Sequence, residues 1–493
     1  MKRLCVYFCL DFLLLYGACA AENTTFKRIE ARVSGAIHHL ILRDLNSNGR
    51  MDFVVSHTMP VLPNRPARML SMFVQQNDTL SRSEFEVPLS AVGFDMARPG
   101  AEEEIHLILY HSDGLSLHRR HGGTFDTDPV AFIKGRFLMP GPDPWTLMHI
   151  PLAHDLDLDG TIELLIQESD RVRIFKKGDT SWVPWKTLGL KPGIRSVPGR
   201  GPDLSLMLPK LTVEDFNGDS ILDLIFVTAD RIDVFFQGRN AADSSIILSP
   251  DFSATLEPQD VEAANRENPA PVEIRIVVRD INGDLLPDVI LIRSSRGTFA
   301  RNISQIQLYF NQGGTLNRLP DQIITVDNFS ADPLFLSFPE DPHTDLGMPE
   351  FSLGLPQFIY FLLTRKVRNA LNIHTMTPDG RYTASFQKRF SFTRRVPLAD
   401  MIAADWCMDA GGDFNGDGLP DLLIGTDIAT IRIHPGLPNK TFERRPLHVW
   451  SIKSTPRVRV GDWNGDGVSD VLFVYSNEPF GGRLVWKMSR ISP

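Results

Sequence analysis

A nine-residue pattern of oxygen-bearing side chains recurs six times in this sequence of 493 residues. Carboxylate or carboxamide groups stand at its first, third, fifth and ninth positions, as in Asp462, Asn464, Asp466 and Asp470. Oxygen ligands at alternating positions suit a hard cation, and the flexible coordination of Ca²⁺ fits them better than the strict octahedron of Mg²⁺. A backbone carbonyl at the seventh position can add a further ligand. The pattern therefore predicts a set of calcium-binding loops.

The predicted ligands fill all four positions in each of the six copies. In chain order they are Asp44, Asn46, Asn48 and Asp52; Asp155, Asp157, Asp159 and Glu163; Asp215, Asn217, Asp219 and Asp223; Asp280, Asn282, Asp284 and Asp288; Asp413, Asn415, Asp417 and Asp421; and Asp462, Asn464, Asp466 and Asp470. Glycine at the sixth position allows the sharp turn that folds the ligands inward. Two copies carry Ser220 and Leu285 there instead. Because a non-glycine residue at positive φ costs about 1 kcal/mol or more, the occupancy of these two loops is left open.

Two weaker copies lie in the gaps between the six. One begins at Asp95, where Ala97 and Pro99 replace oxygen donors, and the other begins at Pro349. We expect neither of them to bind an ion. With these two included, the eight starts follow one another at intervals of about 60 residues, a spacing typical of repeat architectures. The apolar runs after each copy, such as residues 471–475, are typical of strands, so a helix-flanked EF-hand is a poor interpretation.

These residues resemble the FG-GAP/VCBS repeat family, whose members include the propeller of integrin α subunits. The resemblance extends over essentially the whole chain after residue 20. It implies an all-β fold, a β-propeller of four-stranded blades with a calcium loop between the first two strands of a blade. Eight repeat starts predict eight blades, with seven as the alternative. We expect residues 26–33 to supply the missing strand of the last blade and close the ring, and residues 191–203, 240–271 and 330–350 to be insertions.

The first 20 residues have the features of a secretory signal peptide. Lys2 and Arg3 precede a mainly apolar stretch, and Ala18-Cys19-Ala20 is a cleavage pattern. We therefore expect a secreted, periplasmic or cell-surface protein with residues 21–493 as a single propeller domain. Retention of the apolar stretch as an anchor and a lipid attached at Cys19 are alternative interpretations. Cleavage leaves Cys407 as the single cysteine, which excludes an intramolecular disulfide and predicts a small buried hydrophobe.

Charge and motifs narrow the classes of function. The formal net charge of −9 argues against a general nucleic-acid binder, which carries a basic surface. No segment after the leader is long and apolar enough to predict a transmembrane helix. The sequence around Ser220 is similar to the nucleophile block of some esterases, but it lies inside a predicted calcium loop, so the structural interpretation is favoured. No catalytic residue is predicted.

Two functions from different classes remain. The first is a non-catalytic binding or adhesion module that holds a protein or glycan on its blade-connecting loops. We favour it, with Trp182 and Trp185, near Lys186, as the candidate ligand face. The alternative is a polysaccharide-cleaving enzyme, a lyase or a hydrolase, on a calcium-stabilised propeller. The sequence leaves enzymatic activity open.

Overall fold

The structure is a computed structural model. It describes residues 24–62, 65–76, 79–98, 104–138, 141–168, 170–179, 181–191, 193–196, 204–228, 231–237, 246–256, 272–295, 303–327, 333–339, 341–351, 355–396, 407–478 and 481–490. These residues form small, mainly antiparallel sheets arranged as the eight blades of a β-propeller. The predicted fold class and the count of eight blades are confirmed. The predicted signal peptide lies outside the described residues.

The strands follow one another blade by blade, and only the first is out of place. This strand, β1 (Thr25–Val33), does not join the sheet that follows it. Blade 1 consists of β2 (Ala36–Arg43), β3 (Asp52–Leu62), β4 (Arg65–Gln76) and β5 (Thr79–Val87). Blade 2 runs through β6 (Ala91–Ala97), β7 (His106–His111), β8 (Gly114–His118), the small ribbon of β9 (Arg120–His121) and β10 (Thr124–Phe125), and β11 (Val130–Lys134). A short strand, β12 (Met148–His149), pairs in parallel with β6.

Blades 3 to 5 repeat this meander. Blade 3 consists of β13 (Ala153–His154), β14 (Glu163–Gln167), β15 (Arg171–Lys177) and β16 (Trp182–Gly189), and is followed by the ribbon of β17 (Gly193–Ser196) and β18 (Leu204–Met207). Blade 4 consists of β19 (Lys210–Glu214), β20 (Asp223–Val227), β21 (Arg231–Phe235) and, after β22 (Ile247–Leu248), the fourth strand β23 (Phe252–Thr255). Blade 5 consists of β24 (Val272–Arg279), β25 (Asp288–Ser295), β26 (Ile303–Tyr309) and β27 (Gln322–Asp327).

Blades 6 to 8 include the single helix of the described residues. Blade 6 runs through β28 (Leu334–Ser337), β29 (Thr344–Phe351), α1 (Leu355–Thr364), β30 (Lys366–His374) and β31 (Lys388–Arg395). Blade 7 runs through β32 (Met408–Gly412), β33 (Asp421–Asp427), β34 (Thr430–His434), the ribbon of β35 (Gly436–Leu437) and β36 (Thr441–Phe442), and β37 (His448–Ser451). The last strands are β38 (Arg457–Gly461), β39 (Asp470–Glu478) and β40 (Gly481–Arg490). In the described part of the chain, no helix has the length and hydropathy needed to cross a membrane.

The ring is closed by pairing of the two ends of the chain. Strand β1 lies antiparallel to β40, from Thr25 opposite Arg490 to Val33 opposite Gly482, and so completes blade 8 as its outer strand. Apolar side chains of both strands, among them Val33 and Trp486, share one buried cluster. The predicted closure is confirmed, and it removes an edge that would otherwise expose unpaired backbone groups.

The hydrophobic core lies between neighbouring blades. One cluster joins Phe53 of blade 1 to Trp463 and Leu472 of blade 8, and similar clusters recur around the ring. Successive side chains of a strand point to opposite faces of the sheet, so each blade presents one apolar face to each of its two neighbouring blades. Cys407 is buried in such a layer, as the sequence predicts, and burial raises the pKa of its thiol to about 12.

Four sequence-based expectations about the repeats are wrong, two on their starts and two on insertions. Asp95 lies inside β6, and Pro349 lies inside β29, so neither begins a loop. Residues 240–271 include β22 and β23, and residues 330–350 include β28 and most of β29, so both ranges contain blade strands. Asp95 and Pro349 match parts of the repeat spacing from within a strand, while β22, β23 and β28 have only two to four residues each and do not stand out from the polar residues around them.

Candidate functional site

Six of the blades carry the predicted nine-residue segment between their first two strands. We name these segments loops 1, 3, 4, 5, 7 and 8 after their blades; they begin at Asp44, Asp155, Asp215, Asp280, Asp413 and Asp462. In every case the first strand ends one residue before position 1, and the second strand begins at position 9. The two strands therefore fix both ends of the loop, and all six loops lie at the same end of their blades.

Loop 7 shows how the turn gathers its oxygen atoms. The two carboxylate oxygens of Asp413 accept hydrogen bonds from the backbone N–H groups of Gly416 and Gly418, each at 2.7 Å. The carboxylate of Asp417 accepts a hydrogen bond from the N–H of Leu419 at 2.8 Å. The bonds from position 6 to position 1 and from position 7 to position 5 recur in the other five loops, for example from Gly467 to Asp462 at 2.8 Å. The backbone thus wraps around the side chains at positions 1 and 5.

Each loop needs two residues with positive φ, at positions 4 and 6. At position 6, Ser220 and Leu285 adopt φ of 67° and 72°, so the strain expected from the sequence is present. The requirement at position 4 was missed by sequence reasoning, although glycine stands there in four of the six copies. In the other two copies, Ser47 and Leu158 adopt φ of 60° and 58°. Ser220 donates its backbone N–H to Asp215 and is a turn residue.

The carboxylate at position 9 is buried in all six loops and anchors each loop to its blade. In loop 7, Asp421 accepts hydrogen bonds from the N–H of Phe414 at 2.8 Å and from the N–H of Gly436, beyond the third strand, at 2.7 Å. Burial, together with repulsion from the carboxylates at positions 5 and 1, raises the pKa of Asp421 and of Asp288 to about 7. A nearby cation would relieve this unfavourable burial of negative charge.

Loop 3 brings three carboxylates close together. Carboxylate oxygens of Asp155, Asp157 and Asp159 all lie within 4.8 Å of one another. One oxygen of Asp155 is buried and accepts no hydrogen bond from the described residues. An unpaired buried oxygen beside two further carboxylates fits a bound cation.

A lysine also approaches loop 3. The ammonium nitrogen of Lys176 lies 2.5 Å from an oxygen of Asp157 and 3.5 Å from an oxygen of Glu163. The same nitrogen lies 4.0 Å from the centre of the Trp185 ring, and that of Lys186 lies 4.2 Å from it. Trp185 is therefore engaged by two cations, and the lysine would compete with a metal ion for two of the four ligands.

The loops also join neighbouring blades. The carbonyl of Trp463 in loop 8 accepts a hydrogen bond from the N–H of Met51 in loop 1 at 3.0 Å, and the carbonyl of Asp413 accepts one from Ser469 in loop 8 at 2.7 Å. The side chains at position 2, such as Phe414, are buried between blades. An ion that orders a loop would therefore also stiffen the contact between two blades.

Blade 6 has a ninth-position carboxylate but lacks most of the other ligands. Its first two strands are joined by residues 337–345, which we name loop 6, with Phe338 buried at position 2 and Asp345 fully buried at position 9. Asp345 accepts a hydrogen bond from the N–H of Met376 at 2.9 Å, as Asp421 does from Gly436. The true start of this copy is therefore twelve residues before the predicted Pro349.

A lysine from blade 7 occupies the centre of loop 6. Lys440, in the turn between β35 and β36, forms an ion pair with Asp341 at position 5 and places its ammonium nitrogen 2.9 Å from an oxygen of Asp345. Burial lowers the pKa of Lys440, but the two carboxylates outweigh burial and raise it. Loop 6 therefore does not fit a metal ion, because a fixed positive charge already lies between its two carboxylates.

Blade 2 departs further from the pattern. Asp95 is fully buried and accepts hydrogen bonds from the N–H groups of Leu152 at 2.7 Å and Ala153 at 3.0 Å, with His149 at 3.1 Å. It thus connects blade 2 to the start of blade 3. His106 stands where other blades have the ninth carboxylate, and its Nδ1 accepts the N–H of Arg120 at 3.1 Å.

Comparison with known proteins gives a family match over two of the loops. The profile described as FG-GAP-like repeat matches residues 413–473, which include loops 7 and 8. A comparison with curated protein sequences gave no match.

Three solved structures align with most of the chain at low sequence identity. An Agrocybe aegerita lectin described as recognising non-reducing terminal N-acetylglucosamine aligns with a TM-score of 0.39 and 12% identity, over 96% of this chain and 97% of the lectin. The WD40 domain of SCAP from fission yeast aligns with a TM-score of 0.32 and 11% identity, over 94% and 98%. The V. cholerae biofilm matrix protein Bap1 aligns with a TM-score of 0.31 and 12% identity, over 93% and 88%.

Proposed function

Because this chain is an eight-bladed propeller of the FG-GAP/VCBS repeat type, we propose that it is an exported, calcium-stabilised binding module for a protein or glycan ligand. Calcium ions would be held by positions 1, 3, 5 and 9 of loops 1, 3, 4, 5, 7 and 8. Their role would be structural, since each loop also contacts the next blade. The ligand would contact the blade-connecting loops at one mouth of the ring.

The repeated geometry of the loops carries the proposal for calcium. All six loops share the backbone hydrogen bonds from position 6 to position 1 and from position 7 to position 5, and each buries one carboxylate at the base. Burial and nearby like charges raise the pKa of buried carboxyls such as Asp288 and Asp421, and a bound cation would offset both effects. Oxygen-only ligands on a turn match Ca²⁺, and extracellular modules function with weak sites, with Kd of roughly 10⁻⁴–10⁻³ M.

Export is proposed from the leader-like sequence of residues 1–20. A secreted, periplasmic or cell-surface location is compatible with a chain whose single cysteine beyond the leader, Cys407, is buried. N-terminal sequencing of the secreted protein tests this proposal. A chain that begins at Ala21 supports it, whereas recovery of uncleaved protein from the cell interior would contradict it.

Calcium binding is tested by elemental analysis of the purified full chain. The protein is dialysed to equilibrium against millimolar calcium, and bound calcium is taken as the excess on the protein side of the membrane, with a magnesium-dialysed sample as control. We expect several calcium ions per chain, up to six, and no comparable retention of magnesium. A calcium content near zero at millimolar free calcium would overturn the metal proposal.

Ligand binding is tested separately from calcium binding. The full chain is applied to a glycan array in calcium, and the glycans that bind are then incubated with it and assayed for new reducing ends or unsaturated products. Binding without turnover supports a non-catalytic module. Turnover would instead assign the polysaccharide-cleaving alternative, and the absence of any bound glycan would restrict the proposal to protein ligands.

A further inference from the structure

Helix α1 is inserted between the second and third strands of blade 6, at the end of the blade opposite loop 6. A single side chain of the helix is buried, that of Phe361, and it packs against Val367 and Val396 in a small cluster. The backbone N–H of Arg365 then ends the helix by donating to the carbonyl of Phe361 at 2.7 Å. The helix is therefore attached along one narrow face.

The other side of α1 is apolar and exposed. Leu355 is 72% exposed and Leu363 is 80% exposed, while Ile359 and Leu362 are about half exposed. Their spacing of four, three and one residues places them along one side of the helix. The helix itself contains no charged residue. A contiguous apolar surface of this kind marks a site of interaction with something apolar.

Positive charges surround the end of this helix. Arg365, Lys366 and Arg368 follow α1 directly and are exposed, and Lys366 pairs across the sheet with the exposed Arg395. Residues 355–368 and 388–396 contain no Asp or Glu, although the whole chain has a formal net charge of −9. The excess of cations is therefore local to α1 and to the two strands beside it.

We infer that α1 docks the propeller onto an anionic lipid surface. We name the docking region the α1 surface and define it as Leu355, Ile359, Leu362, Leu363, Arg365, Lys366, Arg368 and Arg395. An anionic bilayer matches both of its components, because the apolar side chains can enter the acyl boundary while the cations meet lipid phosphates. With ten residues, the helix is about 15 Å long, so it would lie in the interface and not span the membrane.

The arrangement favours lipid over a protein groove. A protein that covers four apolar side chains must also supply carboxylates at fixed points around Arg365, Lys366 and Arg395, whereas mobile lipid headgroups can adjust to any spacing of cations. The α1 surface is at the opposite end of blade 6 from loop 6, so docking would leave the loop face of the ring open. The inference therefore does not depend on calcium occupancy of the loops.

The test is flotation of the full chain with lipid vesicles at a fixed calcium concentration. We expect binding to vesicles of phosphatidylcholine with about 30% phosphatidylglycerol, and little binding to phosphatidylcholine alone. L362S/L363S should weaken partitioning at least about tenfold through lost apolar burial. R365E/K366E should also weaken it about tenfold or more through lost attraction, and high salt should weaken binding of the parent chain.

Two matched variants control for general effects of charge and hydrophobicity. R444E/R445E changes two adjacent exposed arginines in blade 7, and L319S removes an exposed leucine from blade 5. Neither should alter partitioning by more than about twofold. Absence of binding to the anionic vesicles, or an equal loss in R444E/R445E, would overturn the inference.

Other occupants of the α1 surface give different results. If another part of this chain covers the helix, L362S/L363S should lower the melting temperature and the parent chain should not float with vesicles. If a second copy covers it, the parent chain should be a dimer by light scattering, and the same variant should be a monomer without vesicle binding. Either result contradicts lipid docking, and neither bears on calcium in the loops.

Discussion

Loops 6 and 7 belong to adjacent blades, and both bury a carboxylate at position 9, but they differ in how that charge is balanced. In loop 7, no side-chain cation of the described residues pairs with Asp421, and burial with repulsion from Asp417 and Asp413 raises its pKa to about 7. In loop 6, a lysine of the next blade lies between the two remaining carboxylates. The difference indicates that a positive charge is needed beside the buried carboxylate at position 9, and that either an ion or a side chain can supply it.

The two ways of balancing the buried charge, by an ion or by a lysine, depend differently on the calcium concentration. A bound ion is lost when its free concentration falls below Kd, whereas Lys440 is covalently part of the chain and stays near Asp341 at any calcium concentration. Loop 6 is therefore an internal reference for the six loops that fit calcium. The following experiments test this difference between loop 6 and the six loops that fit calcium.

Removal of calcium should have the largest effect. Each occupied site contributes about 2.7 kcal/mol at a hundredfold excess of calcium over Kd, so chelation of six sites should lower the melting temperature by on the order of 10 °C. Calorimetry with and without chelator measures this shift, and re-addition of calcium should restore the parent value better than magnesium does. An unchanged melting curve would mean that the six loops are turns that bind no calcium.

Lys440→Met should destabilise the chain by about 3 kcal/mol, because it leaves the buried Asp345 without its partner. The loss should be the same with calcium and with chelator when measured by denaturant unfolding. The double variant K440M/D345N should recover part of it, since the unpaired charge is then removed. If added calcium rescues K440M fully, loop 6 accepts an ion after all and the contrast fails.

Asp413→Asn should cost about 2 kcal/mol in calcium and much less in chelator. The amide keeps one oxygen as an acceptor for the backbone N–H groups of the loop but removes a charged ligand. Most of the lost free energy of unfolding should therefore depend on calcium. Elemental analysis should show one ion fewer per chain. An equal loss under both conditions would mean that Asp413 serves the turn and not a metal.

The calcium-free chain should become more stable as the pH falls from about 8 to about 6.5. The pKa values of Asp288 and Asp421 are about 7 in the folded chain, above their ordinary value, so the folded state binds these protons more tightly than the unfolded state. Their destabilising effect is complete above pH 7 and decreases through this window. Melting temperatures in chelator should rise by a few degrees, and saturating calcium should flatten the trend. An equal rise in melting temperature in saturating calcium would mean that groups outside the loops cause the pH dependence.

Lys176→Met should give the smallest effect, an increase of about fivefold in the calcium affinity of loop 3. Lys176 lies 2.5 Å from Asp157 and 3.5 Å from Glu163, so its ammonium opposes ion binding by occupying two ligands. Terbium luminescence excited through tryptophan follows the bound ion, and its change from the parent chain to K176M isolates loop 3, because Trp463 of loop 8 is the same in both. K453M is a matched control at an exposed lysine. Weaker terbium binding by K176M would show that the lysine supports the site.

The sequence predicts the blades that retain a full set of ligands and misses the ones that do not. Positions 1, 3, 5 and 9 are chemically distinctive, so six loops could be derived from them. The count of eight blades comes from adding two weak copies whose exact register is wrong, and the closing strand comes from the strand missing in the last blade. Loop 6 retains Asp341, Asp345 and the buried Phe338, and these residues are too common to define a register. Lys440 is 99 residues from Asp341, and only the fold shows that the two meet. The positive φ of Ser47 and Leu158 likewise follows from neighbouring backbone and not from residue type.

The pairing of β1 with β40 has a consequence for biosynthesis. Strand β1 must wait for β40, because Thr25 pairs with Arg490 and the ring cannot close until β40 has been made. Contacts so distant along the chain are slow to form, since the entropy of closing the intervening loop is lost before they contribute. During that interval, β1 and the growing sheets have unpaired edges that can associate with other chains. Under the proposed export, passage of the unfolded chain across a membrane would postpone closure until all eight blades had been released together.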